Sequence, residues 1–581
     1  MRPTRLYPRP TLLALALLAA IASPGAFAAT ITVDPTAPDA PMANDGKCSL
    51  REAVMSINAG TNQMDCVADI TEAYGSNDTL MLAPGIYTLS VPGLDESFIA
   101  NGGTTAPTVT NTPNAAVGDL DIQKSLRILG SGADSTLIQW DSALGTGRDR
   151  IFHVYATSGT VNVSLQDLTL SQGQTQEQPI KLGPASTAGL LPTTYYLRRA
   201  GGAIAVGPAA AVVLVDPNIT GQANAEGRGG SKKPGSTGEE GGATLGLTLT
   251  NVTLSGNSAQ GDGGGLYTAA PLSATGLTVS GNTSSTNGGG IYNEGNTSIL
   301  SSVISNNTAE GGGGFFGTGS NTVDFKGVTL NGNKAVGGGG ISGRAGVTLR
   351  LLNSTLSGNI GSDTGGGLYT NGSAELRFVT IAKNLAGADS STAGSGINTF
   401  PSSAGGVTLK NVLMADNRKG YVDGMGAADI AALVSANCGS TGSSPNITSR
   451  GYNLSSDTSC AGVLNLAGDL NNKNPLIAEL AANGGFGLTH ALAATSPALG
   501  AGQAEADVSA DQRGTARDAT PDIGAFELAT DGAVVTTDPT ATTTSSGGGC
   551  TTNPNADFDP GLPTLLLAAL GTLFWRRRKP D

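Results

Sequence analysis

Histidine, cysteine and aromatic side chains are the scarce residues of this 581-residue chain, which holds two histidines (His153 and His490), five cysteines and only 4% aromatics. Two histidines argue against a multi-histidine metal site, so no metal and no cofactor is expected. The shortage of Phe and Trp argues against a large globular core. A net charge of -13 disfavours nucleic acid as a partner, because phosphate binding needs a basic surface. What is abundant is glycine, 86 residues without an every-third-residue period, which excludes collagen. Thin stacked coils of Val, Leu, Ile, Thr and Asn fit this composition.

A repeat is present. Aligning the chain on one asparagine gives Asn257, Asn282, Asn307, Asn333, Asn359 and Asn384, spaced by 25 or 26 residues. Before each lies a short apolar alternation, such as Val252 to Leu254 or Val379 to Ile381. After it comes a glycine run ending in an apolar pair, as in Gly263 to Tyr267 and Gly365 to Tyr369. Period two marks a strand with one face buried. Two strands around a glycine bend plus a third stretch, such as Val347 to Leu352, make one coil. Such coils predict an all-β, single-stranded right-handed parallel β-helix, a pectin-lyase-like solenoid with an N-terminal capping helix and a C-terminal cap. The asparagines would form a ladder, each amide donating to one neighbour and accepting from the next. Glycosylation at their x-Ser/Thr contexts is the competing reading. Looser strand-like runs (Thr79 to Leu82, Leu120 to Ile122, Leu126 to Leu129, Leu137 to Trp140, Ile151 to Val154, Val163 to Leu170) extend the stack upstream, and Asp216 to Gly242 reads as an excursion.

The ends differ from the repeat. Arg2, Arg5 and Arg9, the apolar run Leu12 to Ile21 and Ala26-Phe27-Ala28 read as a signal peptide over 1–28 processed at Ala28. Export permits disulfides, and the cysteines form two local pairs, Cys48 with Cys66 and Cys438 with Cys460, plus a lone Cys550; free structural thiols are the alternative. The remaining organisation is an N-terminal cap with first coils over 29–130, irregular coils over 131–246, regular repeats over 247–420, a C-terminal cap over 421–528, a Thr/Ser/Gly stalk over 529–549 and a tail over 550–581. In the tail, Leu562 to Trp575 is apolar and Arg576 to Lys579 basic.

Several segments resemble known families. Cys48-Ser49-Leu50-Arg51-Glu52-Ala53 is similar to the CSLREA motif that begins a class of exported bacterial β-helix proteins, and physically it is a helix start with Ser49 as cap. Gly201-Gly202-Ala203-Ile204 resembles the glycine motif of polymorphic outer-membrane proteins, without their Phe-x-x-Asn partner. The stretch from Gly451 to Glu527 resembles the choice-of-anchor Q domain, through Gly451-Tyr452-Asn453-Leu454, Asn474-Pro475-Leu476, Thr489-His490-Ala491-Leu492, Asp511-Gln512-Arg513-Gly514 and Asp522-Ile523-Gly524-Ala525-Phe526-Glu527. Gly547-Gly548-Gly549-Cys550 with the apolar and basic run looks like a JDVT-type sorting tail, similar also to the MYXO type. These resemblances imply an exported protein held to the cell surface or outer membrane by its tail, or released from it, with Cys550 as the processed or lipid-modified end; a plain short membrane anchor is the alternative.

The function expected is a structural or adhesin-like solenoid that binds glycans or surface proteins; the alternative is a polysaccharide lyase or glycoside hydrolase on the same scaffold. Oligomeric state does not follow from the sequence. Among ladder-edge acids (Asp262, Glu310, Asp363, Asp389), only Asp363 and Asp389 fall on adjacent coils, at the roughly 5–9.5 Å that glycosidase carboxylates need. Lys326, Arg377 and Lys410 are the cationic candidates for a lyase but fall half a coil away. His490, Asp511, Arg513, Asp522 and Glu527 read as an ion-pair network of the cap rather than as catalysts. Tyr267, Tyr292, Phe316 and Tyr369 recur at one repeat position and form either a sugar-stacking platform or a core stack.

Overall fold

The computed structural model describes residues 28–39, 44–69, 73–75, 77–93, 96–99, 108–111, 115–156, 158–175, 178–180, 194–207, 210–215, 243–387, 394–400, 405–440 and 446–529. All lie in the first of two compact units, Met1–Ala533; the second, Val534–Asp581, falls outside the described residues, as do the candidates Asp389 and Cys550, the stretch 216–242 and the expected tail.

The chain winds into a parallel β-helix. One wall is a sheet of 19 strands, a second has 10 and a third 5, and the ladders of the first two are parallel throughout. Successive coils pair in strict register: Thr278↔Val303, Val303↔Thr329 and Thr329↔Thr355 on one wall, Leu266↔Ile291 and Ile291↔Phe315 on the next. Register is strict because each strand buries its alternate side chains in the lumen, where a one-residue slip would expose all of them. Leu254, Val279, Ile304, Leu330, Leu356 and Ile381 are all fully buried there.

Two of the three stretches expected per coil are halves of one strand. Apart from Val347, which precedes it, the stretches Val347 to Leu352 and Ser354 to Leu356 both belong to Thr348–Ser357, bent at Asn353 with φ of 47°. The bend recurs at Asn251, Gly276, Ser301, Gly327, Phe378 and Asn411, all with positive φ. A left-handed backbone suits Gly and Asn and costs more at Phe378. The glycine run has two separate reasons. Gly288 has φ of +67°, and at Gly289 an added Cβ would lie 2.5 Å from the carbonyl oxygens of Thr308 and Gly313, so the next coil leaves no room for a side chain.

The asparagine ladder is present and longer than expected. Side-chain amides link Asn257 to Asn282, Asn282 to Asn307, and onward through Asn333, Asn359 and Asn384 to Asn417 and Asn437, at 2.8–3.0 Å. Asn417 and Asn437 escape a 25-residue period because one longer and one shorter coil set their separations at 33 and 20 residues. All eight are at most 1% exposed, which gives their amides to the corner and not to glycans. Asp457 ends the ladder by accepting the Asn437 backbone N–H over 3.0 Å.

Both ends are closed. At the N-terminus, helix Leu50–Ala59 is started by a capping box of Ser49 and Glu52, and the Cys48–Cys66 disulfide ties it down. Arg51 is fully buried; it pairs with Asp39 and donates to the carbonyls of Ala115 and Gly118, so it holds the cap. At the other end, Cys438 is bonded to Cys460, and Leu464 covers the last coil.

The segment expected as a terminal cap over 421–528 has a second and larger part. After Leu470 the chain turns back along the outside of the 19-stranded wall. Leu488 accepts from Thr329 over 2.8 Å, Gln512 accepts from Thr355 over 2.6 Å, Ala510 accepts from Asn353 over 2.7 Å, Ala525 donates to Thr380 over 2.9 Å and Gln503 accepts from Asn411 over 2.9 Å. A second apolar cluster, including Leu413, Leu454, Leu492, Ile523 and Phe526, lies beneath it. The bend gives this flank its seat, because reversing the side-chain phase there turns Thr329, Thr355 and Thr380 toward it.

Candidate functional site

The outer face of the 10-stranded wall carries one continuous file of side chains. Register places Asp121, His153, Ala205, Tyr267, Tyr292, Phe316, Ser342, Tyr369 and Asn398 in line, each the middle residue of a three-residue strand whose neighbours face the lumen. Leu266, Ile291, Phe315 and Leu368 are those lumen partners and are fully buried.

The aromatic candidates therefore point away from the lumen, yet they are not open. Tyr267 and Tyr292 stack with centroids 5.4 Å apart, and Tyr292 and Phe316 with centroids 5.3 Å apart. Their exposures are 7%, 2% and 3%. With Ala200 and Ala205 they form a third apolar cluster, separate from the lumen, and Arg344 lies over Phe316 at 5.2 Å. Burial, helped by the charges of Glu294 and Asp262, pushes the Tyr267 phenol well above its usual range. Each inner ring offers its faces to its neighbours, which leaves a sugar little to stack on. Tyr369 stands apart, separated from Phe316 by Ser342, and is the half-exposed member of the four.

Upstream on the same file is a group of charges that the sequence reading passed over. Arg150 pairs with Asp119 over 3.1 Å and lies 3.9 Å from Asp149, while His153 Nδ1 lies 3.1 Å from Asp121 and its Nε2 lies 3.0 Å from the Gly207 carbonyl. All five side chains are at most 1% exposed. Tyr155 adds its ring 5.6 Å from His153. Buried charges persist when paired, and these pairs sit where the strands Leu120–Ile122 and Phe152–Val154 bring them together. The available signal was charge inside an apolar strand pattern, Asp119-Leu120-Asp121 and Asp149-Arg150-Ile151-Phe152-His153. Among the described residues no group of three or more His, Cys, Asp or Glu is placed to hold a metal ion.

The remaining candidates do not converge. Asp262 accepts from the Thr286 hydroxyl and from the backbone and side chain of Asn287, at 2.8–3.0 Å, an architectural role between adjacent coils. Asp363 is partly buried on strand Ile360–Thr364, and Asp389 lies outside the described residues. Lys326, Arg377 and Lys410 fall in one register file on the 19-stranded wall, through Leu352. Arg377 is bound by Glu505 and Asp507, and Lys410 by Gln503 and, at 4.4 Å, by the Tyr452 ring. A cavity of about 220 Å³ lies here, lined in part by Glu375, Arg377, Lys410, Arg450 and Glu505. Burial lowers the Lys410 ammonium, against the pull of Glu505 and Asp469.

The polar residues of the flank lock it internally. Arg517 pairs with Glu527 over 2.9 Å, Arg513 with Asp511 over 2.7 Å, and Asp522 accepts from Gly500 and Leu528 over 2.8 and 2.7 Å. Burial raises the Glu527 carboxyl from 4.5 to about 6, with the Asp522 charge adding to it and Arg517 opposing. His490, fixed between the Ser357 hydroxyl and the Ala478 carbonyl, is lowered mainly by burial.

Register, walls and corners define the class: this is a parallel β-helix protein. No protein-family model matches the chain, and no curated protein matches it. Among solved structures it is similar to ORF18 of Geobacillus virus E2 (10% identity, TM-score 0.34, covering 76% of this chain), of whose length it spans 62%. It is similar also to pectate lyase Pel9A (12% identity, TM-score 0.35, covering 78% of this chain and 88% of that one). A third is the A-module of the Azotobacter vinelandii mannuronan C-5 epimerase AlgE6 (13% identity, TM-score 0.24, covering 70% and 97%).

Proposed function

We propose that this protein is an exported, surface-anchored β-helix of structural or adhesin-like type, which meets glycans or surface proteins with its exposed walls. The observation that carries the reading is that each open end of the solenoid is tied by its own disulfide, Cys48–Cys66 and Cys438–Cys460. Such bonds belong to oxidising compartments. The basic and apolar start at 1–28, the stalk at 529–549 and the tail at 550–581 fit the same compartment, as do the CSLREA-like and choice-of-anchor-like segments. The cell envelope is then the partner, reached through the tail.

The test is fractionation of producing cells with protease added from outside. Cleavage of the protein in intact cells supports the reading, and full protection in a cytoplasmic fraction with reduced cysteines overturns it. Binding is tested on a glycan panel with Tyr369→Ala, the half-exposed member of the aromatic set; loss of binding in that variant supports an adhesin-like role.

A second reading, a carbohydrate-active enzyme, draws on the Asp119, Asp121, Asp149, Arg150 and His153 group, which gathers proton-transfer chemistry at one point of a wall. Their full burial weighs against it, because a substrate would have to reach them. Release of unsaturated or reducing ends from polyuronates or neutral glycans, abolished by His153→Ala or Asp363→Ala, would establish it over the first.

A further inference from the structure

Asp78 is fully buried at the start of strand Asp78–Leu82, and its carboxylate accepts the backbone N–H of Ala29 over 2.8 Å and that of Gly75 over 3.0 Å. Ala29 is itself fully buried, and its carbonyl accepts from Thr79 over 2.8 Å, which begins the pairing of Thr30–Val33 with the next coil. Among the described residues no Lys, Arg or His side chain pairs with Asp78. A dry carboxylate held by amides alone lacks the countercharge that buried acids normally have. The residues before Ala29 are Ala26-Phe27-Ala28, small at both positions a signal peptidase reads.

We infer that Ala28–Ala29 is the processing site and that the new α-ammonium of Ala29 is the countercharge of Asp78. The inference rests on the export reading above. Hydrolysis breaks the Ala28 C–Ala29 N bond; water supplies hydroxyl to the Ala28 carboxyl and a proton to the departing amine, which takes up a second proton at neutral pH as ordinary α-amino groups do. The nitrogen already sits 2.8 Å from the carboxylate, so the amide hydrogen bond becomes a buried ion pair without movement of the strand. The unprocessed chain has the same contact without the charge. Export thereby completes the first rung of the solenoid, and the mature N-terminus is a structural part, not a loose end.

The experiment uses the full exported chain. Mass spectrometry of the purified protein reads its N-terminus, and hydrogen exchange reads the amides of 30–33 and 79–82, because ends of solenoids open locally. A second chain carries Gly-Ser inserted between Ala28 and Ala29, so that export and cleavage leave Ala29 acylated. Asp78→Asn is made in both chains. Expected are an N-terminus at Ala29 and an acceleration of exchange by about tenfold for Asp78→Asn in the mature chain against about twofold or less in the extended one, a double-mutant coupling. The insertion alone also speeds exchange about tenfold, a readout that does not require the Asp78 variant to fold. Equal effects of Asp78→Asn in both chains, or no effect of the insertion, overturn the ion pair. An exported protein cut elsewhere overturns this inference while leaving the export reading intact; a full-length cytoplasmic protein overturns both.

Discussion

The side-chain amide of Asn282 donates to Oδ1 of Asn307 over 3.0 Å, and the same oxygen accepts the backbone N–H of Asn282 over 2.9 Å. One side-chain oxygen thus satisfies two donors of the coil below it, in a corner that water does not reach. Replacing Asn307 by Ala leaves both donors unpaired, and Asn307→Ala is expected to cost about 3–5 kcal/mol, at about 1–3 kcal/mol per stranded group plus the lost packing. Chemical denaturation followed by circular dichroism measures it. The ladder ends on Asp457, whose Oδ2 accepts from the backbone N–H of Asn437 and whose Oδ1 accepts from the backbone N–H and hydroxyl of Ser459. Asp457→Asn keeps one acceptor oxygen and turns an NH2 toward the remaining donors, so it is expected to cost about 1–3 kcal/mol.

Tyr292 lies between two parallel rings and is 2% exposed, so Tyr292→Ala opens a cavity expected to cost about 3–5 kcal/mol. Tyr292→Phe keeps the stack and should change stability by less than about 1.5 kcal/mol. Thermal unfolding of the two variants separates a packing role from a polar one. A loss of stability in Tyr292→Ala no larger than that of an exposed control would contradict the buried stack.

The flank should respond to pH through Glu527. Its carboxyl is raised from 4.5 to about 6 in the fold, so the folded chain holds a proton that the unfolded chain releases in that interval. The contribution is therefore fully present below pH 4.5 and is lost as pH rises through 6, by about 2 kcal/mol at most. His490 is lowered and titrates with the opposite sign, but it does so in both proteins when wild type is compared with Glu527→Gln. The stability difference between these two, measured from pH 4 to 7, should shift in favour of the variant as pH rises; a flat difference would remove the burial argument.

Arg377 holds the strand-crossing stretch of the flank through Glu505 and Asp507, at 24% exposure of its own side chain. Partly solvated pairs contribute little globally, so Arg377→Ala is expected to lower overall stability by about 1 kcal/mol or less. Its visible effect should be local: faster limited proteolysis of 500–510, with the same acceleration produced in wild type by high salt. An unchanged cleavage rate would show that the apolar seat around Leu413 and Phe526 alone retains the flank.

The β-helix was legible because its signal is repetitive. Asparagine spacing and period-two strands report a wall and a corner wherever they recur, and Leu120–Ile122 and Leu126–Leu129 appear with the very bounds their apolar pattern suggests. Ser49 and Glu52 are three residues apart, so the capping box is local and equally readable. What escaped was set by contacts distant in sequence. Asn417 and Asn437 join the ladder only because coils of unequal length close on the same corner. The flank contacts Thr329 from Leu488 and Gln512, across 159 and 183 residues, and nothing in either segment announces the other. Whether Tyr267 or Leu266 faces the lumen is likewise undecided by a three-residue strand with apolar side chains on both faces. The sequence by itself determined the coil, its ladder and its local caps, since each depends on periodicity or on neighbours in the chain. Only the tertiary structure decided which wall is covered, which rings stack on one another and which charges share a dry site, because those depend on what the folded chain places over each face.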